Sequence, residues 1–361
     1  MKVLYIGHYR DGTGWGNAAA NNILALDTAG IDVVPRPITY ETQDREYPAR
    51  IRELESRSNA DCETVIQHTL PSNFTYNSAY KNIGCLTVES SNFKSTGWQH
   101  HCNLMDEIWV SSEITKRQTI DSGVVVPVKV VPYAININKY DMSFGGQKIQ
   151  QLEENFTFGF VGEFIERKNI KALLQAFHIT FDPREPVNLF IKTSKKSLDQ
   201  VQRYCEHVRN GLKIRKNYKE EVVIAGMMPE DDYLSVLAQV DCFVMPSRGE
   251  ACCIPSLEAM ALGIPSIWTD GIGMDHAVGT KVKSYDAPCF GAIETLQNLD
   301  TANETWKEID ILELSKAMRL MYNKLTNEET KHQYSGVCRE VAGVFSYEAV
   351  GKKMKEVLDD R

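Results

Sequence analysis

Two carboxylates, Glu250 and Glu258, stand eight positions apart within 241–270, DCFVMPSRGEACCIPSLEAMALGIPSIWTD. Between them Pro255 suits the first turn of a helix, where an N–H would lack a partner anyway, and Gly263 suits its end. The stretch therefore reads as a strand over 242–246, a tight loop, a short helix opened by Pro255, and a second strand over 266–269. The amides around Cys252, Cys253 and Ile254 then fall at or near a helix N-terminus, where free N–H groups and the helix dipole favour an anion. An ionised carboxylate accepts several hydroxyl donors. A diphosphate on the amides, with acids on either side to take hydroxyls, is the chemistry of a nucleotide sugar.

Lys168 adds a cation. It follows an apolar strand at 156–161 and enters a helix at 169–177, the helix end that ordinarily disfavours positive charge. A cation held there suits a departing phosphate. Arg167 beside it, and Lys192 near the end of the apolar strand 187–193, are further candidates.

The elements that must position these groups alternate along the whole chain. Strands at 2–7, 31–34, 64–67, 83–88, 107–110 and 128–131 are interleaved with helices at about 17–28, 48–58 and 111–122. A polar, Gly-led run at 145–155 reads as a linker, and a second alternating series follows. It continues with a helix at 198–212, a strand at 221–226 and a helix at 233–240, then loop from 286 to 306 and helices at 311–325, 328–342 and 347–360. Strand–helix alternation implies parallel sheets covered on both faces. The expected domains are 1–148, 149–342 and a final helical segment, 343–361. The run Gly12-Thr13-Gly14-Trp15-Gly16, after the first strand, lets backbone approach a phosphate, so Gly14 and Gly16 are donor-side candidates. Trp15 either shapes an acceptor mouth or packs, and His68, after the third strand, is a second acceptor-side candidate. A dinucleotide site would need an acid at the end of the second strand, where Val34-Pro35-Arg36 stands instead.

Pro246-Ser247, Glu250, Pro255, Glu258-Ala259-Met260-Ala261 and Gly263-x-Pro265 together resemble the E-x7-E signature of the retaining family-4 glycosyltransferases. VGEFIERKNIKALLQAF resembles the family's Gly-Arg-Leu…Lys segment, and KNIGCLTVES, DEIWVSSEITKR and VKVVPYAIN resemble its N-terminal domain. The resemblance implies an α/β protein of GT-B fold, two Rossmann-like domains facing across a cleft, with the last helix returning to the first domain. It implies transfer of a sugar, with retention, from a UDP or GDP sugar to an acceptor such as a glycan. Lys168 would neutralise the leaving diphosphate, Glu250 would contact the sugar and Glu258 the ribose. The family's histidine falls on Glu89, which would face the donor sugar or lie as a surface acid at a strand end. The family's arginine falls on Glu163. A carboxylate cannot hold a diphosphate directly, so Arg167 or Lys192 supplies the second positive charge, or the donor is held with one cation fewer.

Composition narrows the partners. With 361 residues and 43% hydrophobic content the chain is long enough for two cores. A net charge of −8 gives no global attraction to nucleic acid or anionic membrane, and Lys213, Arg215, Lys216 and Lys219 read as a solvated helix end. No apolar run approaches the roughly 20 residues that span a bilayer. The start MKVLYIGHY has no long apolar leader, and nine scattered cysteines without a C-x2-C pair suit buried thiols in a reducing cytoplasm. His100-His101-Cys102 reads as helix surface. No Asp-x-Asp occurs, so a metal-independent reaction without a cofactor is expected. The rival readings are a catalytically silent GT-B module that binds a glycan or partner, and a nicotinamide-dependent oxidoreductase.

Overall fold

A computed structural model describes residues 1–11, 13–39, 47–140, 146, 148–289 and 303–360. Gly12 of the glycine run, Gly145 and Gln147 of the expected linker, and 290–302 of the expected late loop lie outside the described residues. The chain divides into two compact units, one on Met1–Ile137, Leu296–Glu304 and Gly343–Arg361, the other on Asn138–Thr295 and Thr305–Ala342.

Unit 1 runs β1 (Lys2–Gly7), α1 (Gly14–Thr28), β2 (Asp32–Pro37), α2 (Ala49–Glu55), β3 (Thr64–His68), β4 (Lys81–Leu86), α3 (Trp98–Cys102), β5 (Glu107–Val110), α4 (Glu113–Asp121) and β6 (Val128–Val130). The strands form one sheet in the order β2-β1-β3-β4-β5-β6 with every pair parallel. The glycine run is not the open loop expected before Asn17. Thr13 Oγ1 accepts from Gly16 N at 3.0 Å and caps the helix, so Gly14, Trp15 and Gly16 form the first turn of α1. β2 also runs past Val34 through Pro35 to Pro37. It lies at the sheet edge, where a missing ladder N–H is tolerated. The Arg36 guanidinium donates to the carbonyls of Pro35, Glu55 and Arg57.

Unit 2 runs α5 (Gln150–Glu153), β7 (Phe156–Val161), α6 (Ile170–Thr180), β8 (Val187–Thr193), α7 (Leu198–Leu212), β9 (Val222–Ala225), α8 (Glu230–Leu237), β10 (Cys242–Met245), α9 (Ile254–Ala261), β11 (Ser266–Thr269) and β12 (Gly279–Val282). Its sheet has the order β12-β11-β10-β7-β8-β9. Helix α8 begins three residues before the expected Tyr233, with Glu230, Asp231 and Asp232 in the first turn, where acids complement the dipole. The loop expected after Asp286 is corrected as well: β13 (Ser284–Pro288) pairs antiparallel with β14 (Thr305–Ile309). Helices α10 (Ile311–Leu325) and α11 (Glu328–Gly343) follow. Phe158, Phe160, Leu189, Phe190, Ile191 and Phe243 fill the sheet's core.

The last helix, α12 (Tyr347–Asp359), packs on α1 within unit 1. Val350, Met354, Val357 and Leu358 join the core of Ala19, Ile23 and Leu26. Gly351 makes the approach possible, since a Cβ there would stand 2.2 Å from the Ala25 carbonyl oxygen. No helix among the described residues is long and apolar enough to cross a membrane.

Candidate functional site

The strand order of unit 2 reverses between β7 and β10, and ligands of open parallel sheets bind beyond the strand C-termini at such a switch point. The two segments leaving β7 and β10 carry the acidic and basic candidates. After β7 the chain makes a 3-10 turn over Glu166–Lys168, and Asn169 takes the left-handed conformation (φ 52°) at the start of α6. The Asn169 amide donates to Glu308 Oε1 at 2.9 Å and anchors the turn. After β10, Arg248 N donates to the Arg167 carbonyl at 2.7 Å, and Ser247 Oγ bonds the carbonyls of Arg167 and Gly249. The far side of this loop is fixed by Gly273, whose N–H donates to the Glu250 carbonyl at 2.7 Å. A Cβ at 273 would lie 2.2 Å from Ala251 O.

This scaffold brings three charges to one point. Glu250 is 5% exposed, and its Oε1 accepts from Lys168 Nζ at 2.7 Å and from Arg167 Nη1 at 3.0 Å. Burial alone would raise the Glu250 carboxyl, but the Lys168 and Arg167 cations outweigh it and hold the group below the usual carboxylate range. Lys192 is directed elsewhere: its ammonium donates to the Gly226 carbonyl at 2.7 Å and the Thr193 carbonyl at 3.2 Å. Burial pulls its pKa down, opposed by nearby Glu163. Glu163 Oε2 accepts from Lys195 N at 3.2 Å. Of the two candidates for a second positive charge, Arg167 is thus the one beside Lys168.

Helix α9 starts at Ile254, with Cys253 at its N-cap and Pro255 in the first turn. Cys252 and Cys253 are free thiols, and burial pushes the Cys253 thiol well up. Glu258, one turn into α9, accepts from the Tyr233 hydroxyl of α8 at 2.5 Å. Burial raises the Glu258 carboxyl to about 7 against the opposing hydrogen bond from Tyr233. Sequence reasoning singled out Glu258 but not its partner Tyr233, which a late start for α8 had hidden.

Unit 1 has its own switch point, between β1 and β3. His68, the last residue of β3, is 2% exposed, and its Nδ1 lies 2.7 Å from the Tyr5 hydroxyl. Burial raises the Tyr5 phenol well above its usual range. His68 stacks on Tyr133 with ring centroids 5.8 Å apart, and His8 is 6.0 Å away. Trp15 of α1 lies 5.4 Å from His8. Burial lowers His8 to about 4, and burial with the neighbouring His8 lowers His68 to about 3. The sequence reading missed His8 and Tyr133. An imidazole directly after the first parallel strand was the available signal. Glu89 lies half-buried in the loop after β4, and the hydroxyl of Thr87 in the same loop bonds that of Tyr133 at 2.7 Å.

Elsewhere, Cys102 of the His100-His101-Cys102 run is buried rather than on the surface. Among the described residues no group of three or more His, Cys, Asp or Glu is set to hold a metal. The Arg215 guanidinium donates to the Phe181 carbonyl and the Lys219 ammonium to that of Glu185, so both tie the end of the basic run to the unit's body.

The fold is that of GT-B proteins, two Rossmann-like units each built on a six-stranded parallel sheet. It is similar to the crystal structure of Anabaena Alr3699/HepE in complex with UDP and glucose, with a TM-score of 0.63, 12% identity, and 100% of both chains covered. Residues 155–290 match the family described as glycosyl transferases group 1, and the switch point of unit 2 falls within the matched residues. Among curated proteins, O-antigen chain mannosyltransferase B of Escherichia coli is 28% identical over 166 residues, covering 45% of this chain and 41% of the relative. Serotype-specific mannosyltransferase WbdA of Escherichia coli is 23% identical over 186 residues, covering 48% of this chain and 22% of the relative. The alignments span less than half the length of these curated relatives.

Proposed function

We propose that this chain is a retaining glycosyltransferase that moves a sugar from a UDP or GDP sugar to a glycan acceptor without a metal. The observation that carries the reading is the meeting of Lys168, Arg167 and Glu250 at the switch point of a segment that matches the group 1 family. Lys168 and Arg167 supply the positive charge that a leaving diphosphate needs, assisted by the N-terminus of α9. Glu250 serves the transferred sugar, and Glu258 accepts ribose hydroxyls from within α9. The backbone at Cys252, Cys253 and Ile254 lines the donor side, while the Lys192 ammonium stays with the Gly226 and Thr193 carbonyls. Unit 1 takes the acceptor at the end of its own sheet, where Trp15 and His68 stand.

The names of the mannosyltransferase relatives favour a hexose, and the HepE complex favours a nucleoside diphosphate carrier. Retention is supported by the likeness to the family-4 pattern. Mass spectrometry of a panel of nucleotide sugars, UDP-glucose and GDP-mannose among them, tests the reading through release of the nucleoside diphosphate. Binding without release across the panel points to a silent binding module, and absence of both overturns the reading.

A further inference from the structure

The cations of unit 2 already hold an anion. Glu250 Oε1 takes both Lys168 Nζ and Arg167 Nη1, and the carboxylate is 5% exposed, so little water competes for these bonds. A ligand diphosphate that uses the same two cations has to displace this carboxylate. Close buried charge pairs couple strongly, so the exchange has a substantial energetic consequence.

The fate of the displaced carboxylate depends on what the ligand carries. A nucleotide sugar offers hydroxyls to an acid that can accept several hydrogen bonds at once. A nucleoside diphosphate without its sugar offers none, and a buried ionised acid that loses both of its cations is costly even with Ser247 still beside it. We infer that Glu250 is an internal anion that competes with the ligand diphosphate for Lys168 and Arg167, and so favours the intact donor over the spent nucleoside diphosphate. After transfer, the carboxylate returns to the cations and drives the product out. Glu250 is then a specificity-determining residue as well as a sugar-contacting one. The inference rests on the reading of this site as a nucleotide-sugar site.

The test is calorimetric titration of wild type and Glu250→Gln with UDP, GDP and inorganic pyrophosphate, with product inhibition measured alongside. Glutamine keeps the size and removes the competing charge, so the diphosphate that binds wild type should bind the variant at least about tenfold tighter. Its inhibition constant should fall by the same factor. If wild type binds a nucleoside diphosphate and Glu250→Gln binds it equally or more weakly, the internal-anion role is overturned while the donor site stands. If wild type binds none of the three, the donor reading fails and this inference fails with it. A second measurement needs no variant: a crystal structure of wild type with the diphosphate bound. There the Glu250 carboxylate should have left both cations, to beyond the ~4 Å limit of an ion pair. A carboxylate still holding both of them overturns the inference.

Discussion

Both sheets reverse their strand order once, and each reversal gathers titratable side chains at the strand C-termini, but the two sets are of opposite character. In unit 1 the groups are imidazoles, which burial keeps neutral: His8 falls to about 4 and His68 to about 3. In unit 2 the groups are a carboxylate and two cations, and Glu250 keeps its charge because Lys168 and Arg167 stand against it. Burial is comparable, with His68 at 2% and Glu250 at 5% exposure. The difference is counter-charge. At Glu250 two cations outweigh burial, whereas at both imidazoles burial is the largest influence. The same topology can thus present a neutral aromatic surface or a charged one, through the side chains that leave the strand ends.

The largest expected effect is on the charged side. Lys168→Ala should lower kcat by about 10²-fold or more, because leaving-group charge grows toward the transition state. Nucleotide binding should weaken less. A kcat within a factor of about three would detach Lys168 from the chemistry, on the scale that one electrostatic contact supplies.

The neutral side is tested by acid. The folded pKa values of His8 and His68 lie below the ordinary 6.5, so the unfolded chain binds more protons below that pH, and stability is lost as pH falls. Urea unfolding should show a loss of about 2 kcal/mol for each histidine between about pH 6.5 and about pH 5. Histidine NMR signals that titrate near the ordinary value would break the comparison.

A smaller effect is expected at Glu258, whose carboxyl is raised to about 7. Its folded pKa exceeds the unfolded one, so its contribution to stability falls as pH rises from about 4.5 through about 7. Ribose hydroxyls favour the ionised form, so nucleotide binding should release a proton and strengthen as pH rises through about 7. Glu258→Gln should bind nucleoside diphosphate about tenfold more weakly above pH 7, a loss of about 1.4 kcal/mol. The gap to wild type should close at lower pH. A constant gap across this window would show that the ionised carboxylate is not what the nucleotide meets. Last, the metal-free reading expects no change in activity in excess chelator. Loss in EDTA with recovery in Mg2+ or Mn2+ would bring a cation into the charged site.

Much of unit 2 was legible because its chemistry sits on short contiguous strings. The segment around Glu250 and Pro255 fixes a strand, a loop and a helix within about one turn of where they fall, and Lys168 follows its strand directly. What was not legible depends on pairing between distant residues. The hairpin of β13 and β14 joins Ser284–Pro288 to Thr305–Ile309, and neither strand has strong period-2 alternation by itself. Arg167 and Lys192 looked equivalent as sources of charge until Gly226 and Thr193 were seen to take the Lys192 ammonium. In unit 1 the early start of α1 was announced by Thr13, a good N-cap, but two glycines and a tryptophan after it resembled a loop. The His8–His68 meeting comes from the parallel pairing of β1 with β3, across sixty positions of sequence.

The packing of α12 on α1 has a consequence for how the molecule is made. Tyr347 bonds Asn21 across 326 positions, and Gly351 meets the Ala25 carbonyl. Residues 1–137 are translated before unit 2, and α1 can then pack on β1, β2 and α2, but its α12 side stays uncovered until residues 347–359 have been made. Unit 2 needs no part of that final segment and can close earlier. The half made first is therefore finished last, holding Ala19, Ile23 and Leu26 without their α12 partners throughout the synthesis of its neighbour. During that interval unit 1 exposes the apolar side chains that α12 later covers, the kind of surface through which incomplete folds associate.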